Sequence, residues 1–200
     1  VDGTSAVTIN GKAYPTKHID ENKLYVYLPA GNYTVANGNS QKLYTIADDG
    51  TVSEAEAAFT ITGTDLVYGT DYTYPADTGV LTILSAKAMT IANVNPNTAT
   101  TDTIIVADDV PANITLAGVN IDVSSQSDTA AFKIADDSTG NVTITLADGT
   151  TNTLKSGKYC AALQKNGEYS DELGTLTIQD GELGTGKLIA QGGIDGAGIG

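Results

Sequence analysis

Short segments in which apolar and polar residues alternate recur through the second half of the chain. They lie at residues 114–116, 142–146 and 176–178, where Thr separates Ile, Leu or Val. Alternation with a period of two residues is typical of a β-strand that buries one face. The pattern therefore predicts a strand at each of these three places.

A second apolar segment follows each of these strands. It is rich in alanine and glycine and places Phe132, Leu163 and Ile199 at equivalent positions. Both kinds of segment recur at intervals of about 30 residues, which is typical of repeat architectures. We interpret residues 114–200 as a stack of structural repeats.

The composition of the repeats separates the possible repeat architectures. They are rich in Thr, Val, Ile and Gly and lack the run of Leu, Glu, Lys and Arg that a helix-pair repeat needs. The chain also has no Trp, an aromatic signature that propeller blades use. The remaining prediction is an all-β fold, with a β-solenoid over residues 59–200 whose short strands pair with those of neighbouring repeats around a narrow apolar core.

Residues 1–58 show a different pattern. Apolar and Tyr-containing runs at 7–9, 24–28, 33–35 and 43–46 are separated by turn residues such as Asn10-Gly11. Strands joined by such turns predict a small antiparallel β-sandwich or meander. We interpret the polar segment 53–58 as the boundary between two domains, with one helical turn as the alternative structure for it.

The segment that follows this boundary predicts a cap for the solenoid. Residues 71–74 and 80–84 flank a turn that contains Pro, Asp and Gly, and are expected to form a hairpin. Such a hairpin would cover the apolar end of the first repeat, so that Thr103 begins the coil. Residues 192–200 show no cap, so we expect the native chain to continue beyond residue 200 or another copy to cover this end through self-association.

The most specific motif is the run LADGTTNTL at residues 146–154, with VTIT before it and Ala161-Ala162-Leu163 after it. In these residues the chain resembles the calcium-dependent, right-handed parallel β-helix carbohydrate-binding domains of clostridial and gut-bacterial cell-surface proteins. The resemblance covers residues 72–200 and is strongest from Ile114 onward. It implies a right-handed parallel β-helix and a non-catalytic module that binds plant or other extracellular polysaccharide. It implies no particular ligand residues.

Charge limits the classes of partner. The formal net charge is −14, and all ten cationic side chains are Lys. Nucleic acid and anionic membranes are therefore disfavoured, and no guanidinium is present to bind a carboxylate or phosphate in bidentate fashion. No apolar run is long enough to span a bilayer, so membrane insertion is not expected. We expect a secreted bacterial protein, extracellular or at the cell surface.

Catalysis is not expected. The single Cys160 and the single His18 lie in different predicted domains and show no spacing that pairs a nucleophile with a base. Pectate-lyase-like enzymes share the parallel β-helix but typically rely on Arg, which this chain lacks. We therefore predict a binding module without enzymatic activity. The alternative is a structural adhesin or a fibre subunit that uses the solenoid as a rigid spacer.

Aspartates that follow apolar strands are the candidate metal ligands. Asp pairs occur at residues 48–49, 108–109 and 136–137, and Asp148-Gly149 is similar. Carboxylate oxygens suit calcium, and acids after equivalent strands can meet on adjacent repeats. We predict a calcium site at Asp136, Asp137 and Asp148, which flank one strand and are expected to face the same turn region. The alternative is that Asp occurs here because it favours turns.

The candidate carbohydrate contacts are aromatic and cationic side chains of the repeats. Tyr159 and Tyr169 can stack on sugar rings, and Lys155 and Lys158 lie in the same repeat as Tyr159. We predict these four residues as the carbohydrate-binding set. Because the repeats contain few aromatic residues, a flat face lined by Thr and Asn is the alternative surface for hydrogen bonds to sugars.

Overall fold

The computed structural model of the chain describes residues 7–10, 12–13, 19–20, 23–24, 26–37, 40–167 and 173–200. These residues form strands, turns and irregular segments, and none of them lies in a helix, which confirms the predicted all-β class. Accordingly, the described residues include no helix long and apolar enough to cross a membrane. The strands are, in chain order, β1 (Thr8–Ile9), β2 (Lys12–Ala13), β3 (Ile19–Asp20), β4 (Lys23–Leu24), β5 (Gly31–Asn37), β6 (Ser40–Ile46), β7 (Val52–Glu56), β8 (Phe59–Thr62), β9 (Tyr72–Thr73), β10 (Val80–Ile83), β11 (Met89–Asn93), β12 (Thr103–Val106), β13 (Asn113–Leu116), β14 (Asn120–Asp122), β15 (Phe132–Ile134), β16 (Val142–Leu146), β17 (Thr151–Lys155), β18 (Leu163–Lys165), β19 (Leu176–Asp180) and β20 (Lys187–Gln191).

The N-terminal region forms an antiparallel sheet in the order β2-β1-β5-β6-β7, and β3 pairs with β4 in a separate hairpin. Every pair of neighbouring strands in this region is antiparallel. The alternative of a helical turn at residues 53–58 is wrong, because β7 pairs with β6 from Val52 to Glu56. Pairing with an existing strand decided the structure of this segment, since its Ala and Glu residues favour strands little by themselves.

The rest of the chain builds three sheets, which we name after one residue of each. The Phe132 sheet has the order β18-β15-β12-β10-β9, the Thr145 sheet β19-β16-β13-β11-β8, and the Leu154 sheet β14-β17-β20. From β10 onward every neighbouring pair in these sheets is parallel. The chain visits the three sheets in turn, so β12–β14, β15–β17 and β18–β20 form three successive circuits, each beside the previous one.

The register of the Phe132 sheet confirms the predicted equivalence of three residues. Phe132 pairs with Leu163 in the parallel ladder, and Leu163 pairs with Ile199 through an isolated bridge. In the Thr145 sheet the three predicted strands are also present, with Ile144 opposite Ile114 on one side and Ile178 on the other. The repeated alternation therefore located both the strands and their neighbours.

The parallel circuits begin earlier than the sequence indicated. β9 and β10 form the predicted antiparallel hairpin, but β10 also pairs in parallel with β12. Thr103 is therefore not the start of the coil. The strands that close this end are β8 and β9, which add antiparallel to β11 and β10. The turn residues between β9 and β10 predicted the hairpin. The parallel pairing of β10 with β12 could not be predicted in this way, because β12 is distant in sequence.

The core lies between the three sheets and is made of the alternate residues of each strand. β11 and β16 each bury every second residue completely or nearly so. At the capped end Tyr74 is fully buried against Phe59, with ring centroids 5.6 Å apart. Its hydroxyl donates to the Asp102 carboxylate and accepts the Ala58 N–H at 3.0 Å. This phenol joins the start of β8 to the first circuit.

The last circuit is less covered than the others. Alternate residues of β19 and β20 are only half-buried, because these strands have a neighbour on one side only. Leu183, Ile189, Ile194 and Ile199 are exposed. Ile189 lies opposite Thr153 and so faces outward from the Leu154 sheet.

Candidate functional site

The aspartate pairs lie in tight turns at the ends of strands. Backbone hydrogen bonds close a four-residue turn from Ala107 to Val110 and another from Ala135 to Ser138. The second Asp of each pair, Asp109 or Asp137, has a left-handed backbone with φ of 56° or 58°. Asp tolerates this conformation better than most residues. The turn alternative for these acids is thus supported at both positions.

Asp148 uses its carboxylate to hold the next circuit. It accepts hydrogen bonds from the N–H groups of Leu183 and Thr185 at 3.0 and 3.1 Å, and from the Thr185 hydroxyl at 3.1 Å. These donors, the Leu183 N–H first, lower the pKa of Asp148 below its usual value. Asp109 binds the N–H and hydroxyl of Thr139 in the same way, and the Thr139 hydroxyl is the main cause of its lowered pKa.

The three predicted calcium ligands do not face one turn region. Asp136 and Asp137 precede β16, whereas Asp148 follows it, and a strand of five residues spans about 16 Å. The Asp136 carboxylate contacts the Lys133 ammonium at 2.7 Å and the Asn166 side-chain amide at 3.1 Å. The part of the chain that the structure describes contains no group of three or more His, Cys, Asp or Glu side chains placed to hold a metal ion.

Lys155 is engaged in a contact between circuits. Its ammonium lies 3.1 Å from the Asp122 carboxylate on the neighbouring strand of the Leu154 sheet. Asp122 also accepts hydrogen bonds from the N–H and hydroxyl of Ser124. Lys155 therefore has a structural partner already. Tyr169, another predicted contact, lies outside the described residues.

Lys158 and Tyr159 are brought together at a corner between the Leu154 and Phe132 sheets. The turn that carries them is closed by a 3.3 Å hydrogen bond from the Cys160 N–H to the Gly157 carbonyl. The Lys158 ammonium lies 4.4 Å from the centroid of the Tyr159 ring. Tyr159 has φ of 68° and is 55% exposed. A bulky residue in this left-handed region carries backbone strain of about 1–3 kcal/mol.

The neighbouring circuits place an aspartate on each side of Tyr159. The Asp128 N–H donates to the Lys158 carbonyl at 3.0 Å, and the Tyr159 N–H donates to the Ile194 carbonyl at 2.9 Å. Asp128 and Asp195 share the left-handed backbone of Tyr159, with φ of 55° and 63°. We call the four residues Asp128, Lys158, Tyr159 and Asp195 the Tyr159 corner.

The close stacking of these turns depends on glycine. A Cβ added to Gly157 would lie 2.4 Å from the Gln126 carbonyl oxygen, and one added to Gly193 would lie 1.9 Å from the Gly157 carbonyl oxygen. A side chain at either position would force the turns apart. The turns that carry Asp128, Tyr159 and Asp195 therefore stack in one column, which fixes the positions of these three residues relative to one another.

The polar groups of the Tyr159 corner are free to meet a ligand. Among the residues that the structure describes, no hydrogen bond or ion pair involves the side chains of Asp128, Lys158, Tyr159 or Asp195. By contrast, the carboxylates of Asp109, Asp122, Asp136 and Asp148 are all occupied. Apart from the contact of the Lys158 ammonium with the Tyr159 ring, the ring, the ammonium and the two carboxylates of this corner therefore remain available to a ligand.

Sequence reasoning identified Lys158 and Tyr159 but missed Asp128 and Asp195. A usable signal was present, because Asp128, Tyr159 and Asp195 each stand four residues before Phe132, Leu163 and Ile199. Aligning the repeats on the apolar residues would have aligned the corner too. A search for one repeated motif misses this equivalence, because the position is Asp in two circuits and Tyr in the third.

The outer face of the Thr145 sheet carries a column of hydroxyl groups. Thr62, Thr90, Thr115 and Thr145 are opposite one another on adjacent strands, and Gln179 continues the column. The Gln179 side chain donates to the Thr145 hydroxyl at 3.2 Å. The Thr-lined face that the sequence suggested is thus present, although the Thr145 hydroxyl already accepts a hydrogen bond from Gln179.

Cys160 is a buried residue of the same turn. Burial is the main cause that raises the pKa of its thiol, and the negative charge of Asp128 raises this pKa further. A raised pKa disfavours the reactive thiolate. His18, the other residue of the rejected catalytic pair, lies outside the described residues.

No family model, no curated protein and no solved structure matched the chain.

Proposed function

We propose that the chain is a non-catalytic polysaccharide-binding module of a secreted or cell-surface bacterial protein, and that residues 59–200 form a right-handed parallel β-helix. Three sheets with parallel neighbours, visited in turn by successive circuits, support the fold proposal. The expected localisation fits an acidic chain without Arg, and plant polysaccharide is the partner that the resemblance implies.

The exposed Tyr159 ring carries the functional proposal. The left-handed backbone of this residue would cost least with glycine, yet the position holds a large aromatic residue that gains little burial. The carbon-bound hydrogens of a sugar ring form an apolar face that packs on an aromatic ring. A strained, exposed tyrosine beside a lysine therefore fits recognition of a sugar better than it fits packing.

Retention on insoluble polysaccharides tests this function. The wild-type protein should bind at least one of cellulose, xylan and pectin, and Tyr159→Ala should lose most of that binding. Tyr27→Ala is the matched control, because Tyr27 is also an exposed tyrosine but lies in the N-terminal region. Equal retention of Tyr159→Ala and wild type would show that the binding site does not include Tyr159. No retention of wild type on any polymer would reject the proposal.

Calcium dependence is a separate proposal. The net charge of −14 and the Asp turns that recur beside strands support it, since calcium binds carboxylate and carbonyl oxygens. Asp136 and Asp137 share a turn, whereas Asp148 would have to belong to a different site. The expected effect is stabilisation of the turns of the assembled circuits.

A structural adhesin or fibre subunit is the second candidate, favoured by exposed apolar side chains in and around the circuit that contains β19 and β20. Leu183, Ile189, Ile194 and Ile199 are exposed there. Exposed apolar side chains can pack against another chain. Under this alternative, the protein should associate with increasing concentration in light scattering and bind no polysaccharide. A monomer at all concentrations would argue against it.

A further inference from the structure

The Tyr159 corner presents carboxylates on both sides of its aromatic ring. Asp128 and Asp195 belong to the circuits before and after Tyr159, and adjacent strands of a sheet lie about 4.8 Å apart. The turn hydrogen bonds from Asp128 to Lys158 and from Tyr159 to Ile194 keep this order. A ligand that lies on the ring along the column of turns would therefore meet a carboxylate at each end.

We propose that the corner selects a neutral, hydroxyl-rich polysaccharide over a polymer of uronic acids. This inference rests on the proposed polysaccharide-binding function and names the ligand class of the same site. It disfavours a calcium ion that bridges this corner to an acidic glycan.

The chemistry of the four side chains supports this choice. An ionised carboxylate only accepts hydrogen bonds, and sugar hydroxyls are donors. Hydrogen bonds that include one charged partner are stronger than those between neutral groups. A uronate carboxylate offers no proton to Asp128 or Asp195 and is repelled by both, so it loses these contacts.

Lys158 does not reverse this preference. Its ammonium is the single positive charge of the corner and lies over the Tyr159 ring, whereas the two aspartates bring two negative charges. The whole chain adds a net charge of −14, which lowers the local concentration of any polyanion. The ammonium can still donate to hydroxyl or ring oxygens of a neutral sugar.

Affinity electrophoresis with soluble polymers tests the inference. The probes are neutral xylan and glucomannan on one side and polygalacturonate on the other, each with calcium and with chelator. Wild type should be retarded at least tenfold more strongly by one of the neutral polymers than by polygalacturonate, in both conditions. Asp128→Asn and Asp195→Asn should each weaken the neutral interaction about fivefold, since an amide replaces a charged acceptor.

Asn suits both positions because it tolerates a left-handed backbone, so these variants should fold, and circular dichroism checks this. Asp108→Asn, in an exposed turn at another corner, is the control and should bind like wild type. Tighter binding of polygalacturonate, with or without calcium, would overturn the inference and leave the proposed function standing. Neutral binding that is lost in Tyr159→Ala but unchanged in both Asn variants would also overturn it. Binding to no polymer would reject the function itself.

Discussion

The carboxylate of Asp148 accepts two hydrogen bonds from Thr185, one from its backbone N–H and one from its hydroxyl, each 3.1 Å long. Asp148 belongs to the turn after β16, and Thr185 lies in the loop before β20 of the following circuit. One side chain therefore fastens two successive circuits. The LADGTTNTL run contains Asp148, so part of this motif has a structural role.

Replacing Asp148 with Asn should lower the melting temperature at pH 7, because the amide is neutral and has one acceptor oxygen in place of two. The folded-state pKa of Asp148 is lowered, so its contribution is present above the unfolded pKa of about 3.9 and is lost as pH falls through the folded value. The difference between wild type and Asp148→Asn should thus shrink below about pH 4. Thermal melts from pH 7 to pH 2 measure this. A difference in melting temperature that does not change with pH would contradict a stabilising role of the ionised Asp148 carboxylate. Asp108→Asn serves as control.

Asn152 gives a second test of the motif. Its fully buried side chain accepts the N–H groups of Gly118 and Val119, each at 2.9 Å, and donates to the carbonyls of Leu116 and Lys187. Asn152→Ala leaves buried backbone groups without partners and should reduce the free energy of unfolding by about 3 kcal/mol. Urea denaturation measures the loss, and the exposed Asn113→Ala should change little. A loss below about 1 kcal/mol would mean that water replaces these bonds.

Leu163→Asp should unfold the circuits. Leu163 is fully buried between Phe132 and Ile199 of the neighbouring circuits, and an unpaired charge in such a core costs more than about 4 kcal/mol. The expected result is loss of a cooperative melt in circular dichroism. Lys165→Ala, on the same strand, should melt close to wild type. An unchanged melting temperature for Leu163→Asp would contradict its inward position.

Tyr159→Gly should separate stability from binding. Glycine relieves the left-handed strain at φ of 68°, although it also frees the unfolded chain, so the net effect should lie between no change and a gain of about 1 kcal/mol. Sugar binding should be lost with the ring. A variant that is less stable by more than about 1 kcal/mol would show that the ring packs in the fold, and retained binding would remove Tyr159 from the site.

Calcium should raise the melting temperature if the Asp turns bind it, because a ligand of the folded state stabilises that state. Removal by chelator should reverse the effect. Asp136→Asn should reduce the shift if its turn contributes a ligand, and magnesium serves as the control ion. A melting temperature that is the same with calcium and with chelator would reject the proposal.

The repeated strands were predictable because their signal is local. Alternation of apolar and polar residues describes each strand and the face it buries, and the spacing of Phe132, Leu163 and Ile199 showed which strands are equivalent. The separation of Asp136 and Asp137 from Asp148 was not predictable from the local pattern, because it depends on the two turns lying at opposite ends of β16. Which donors bind each carboxylate depends on distant residues, such as Asn166, 30 positions from Asp136, and Thr185, 37 positions from Asp148.

The sequence by itself determined the all-β class, the repeated strands and the turn positions, since side-chain size, polarity and backbone preference act over a few residues. The tertiary structure decided the pairing of β7 with β6, the start of the parallel circuits at β10, and the gathering of Asp128, Lys158, Tyr159 and Asp195. These features depend on which circuits lie side by side. That arrangement follows from burying a common core and pairing strand edges, and no segment can specify it alone.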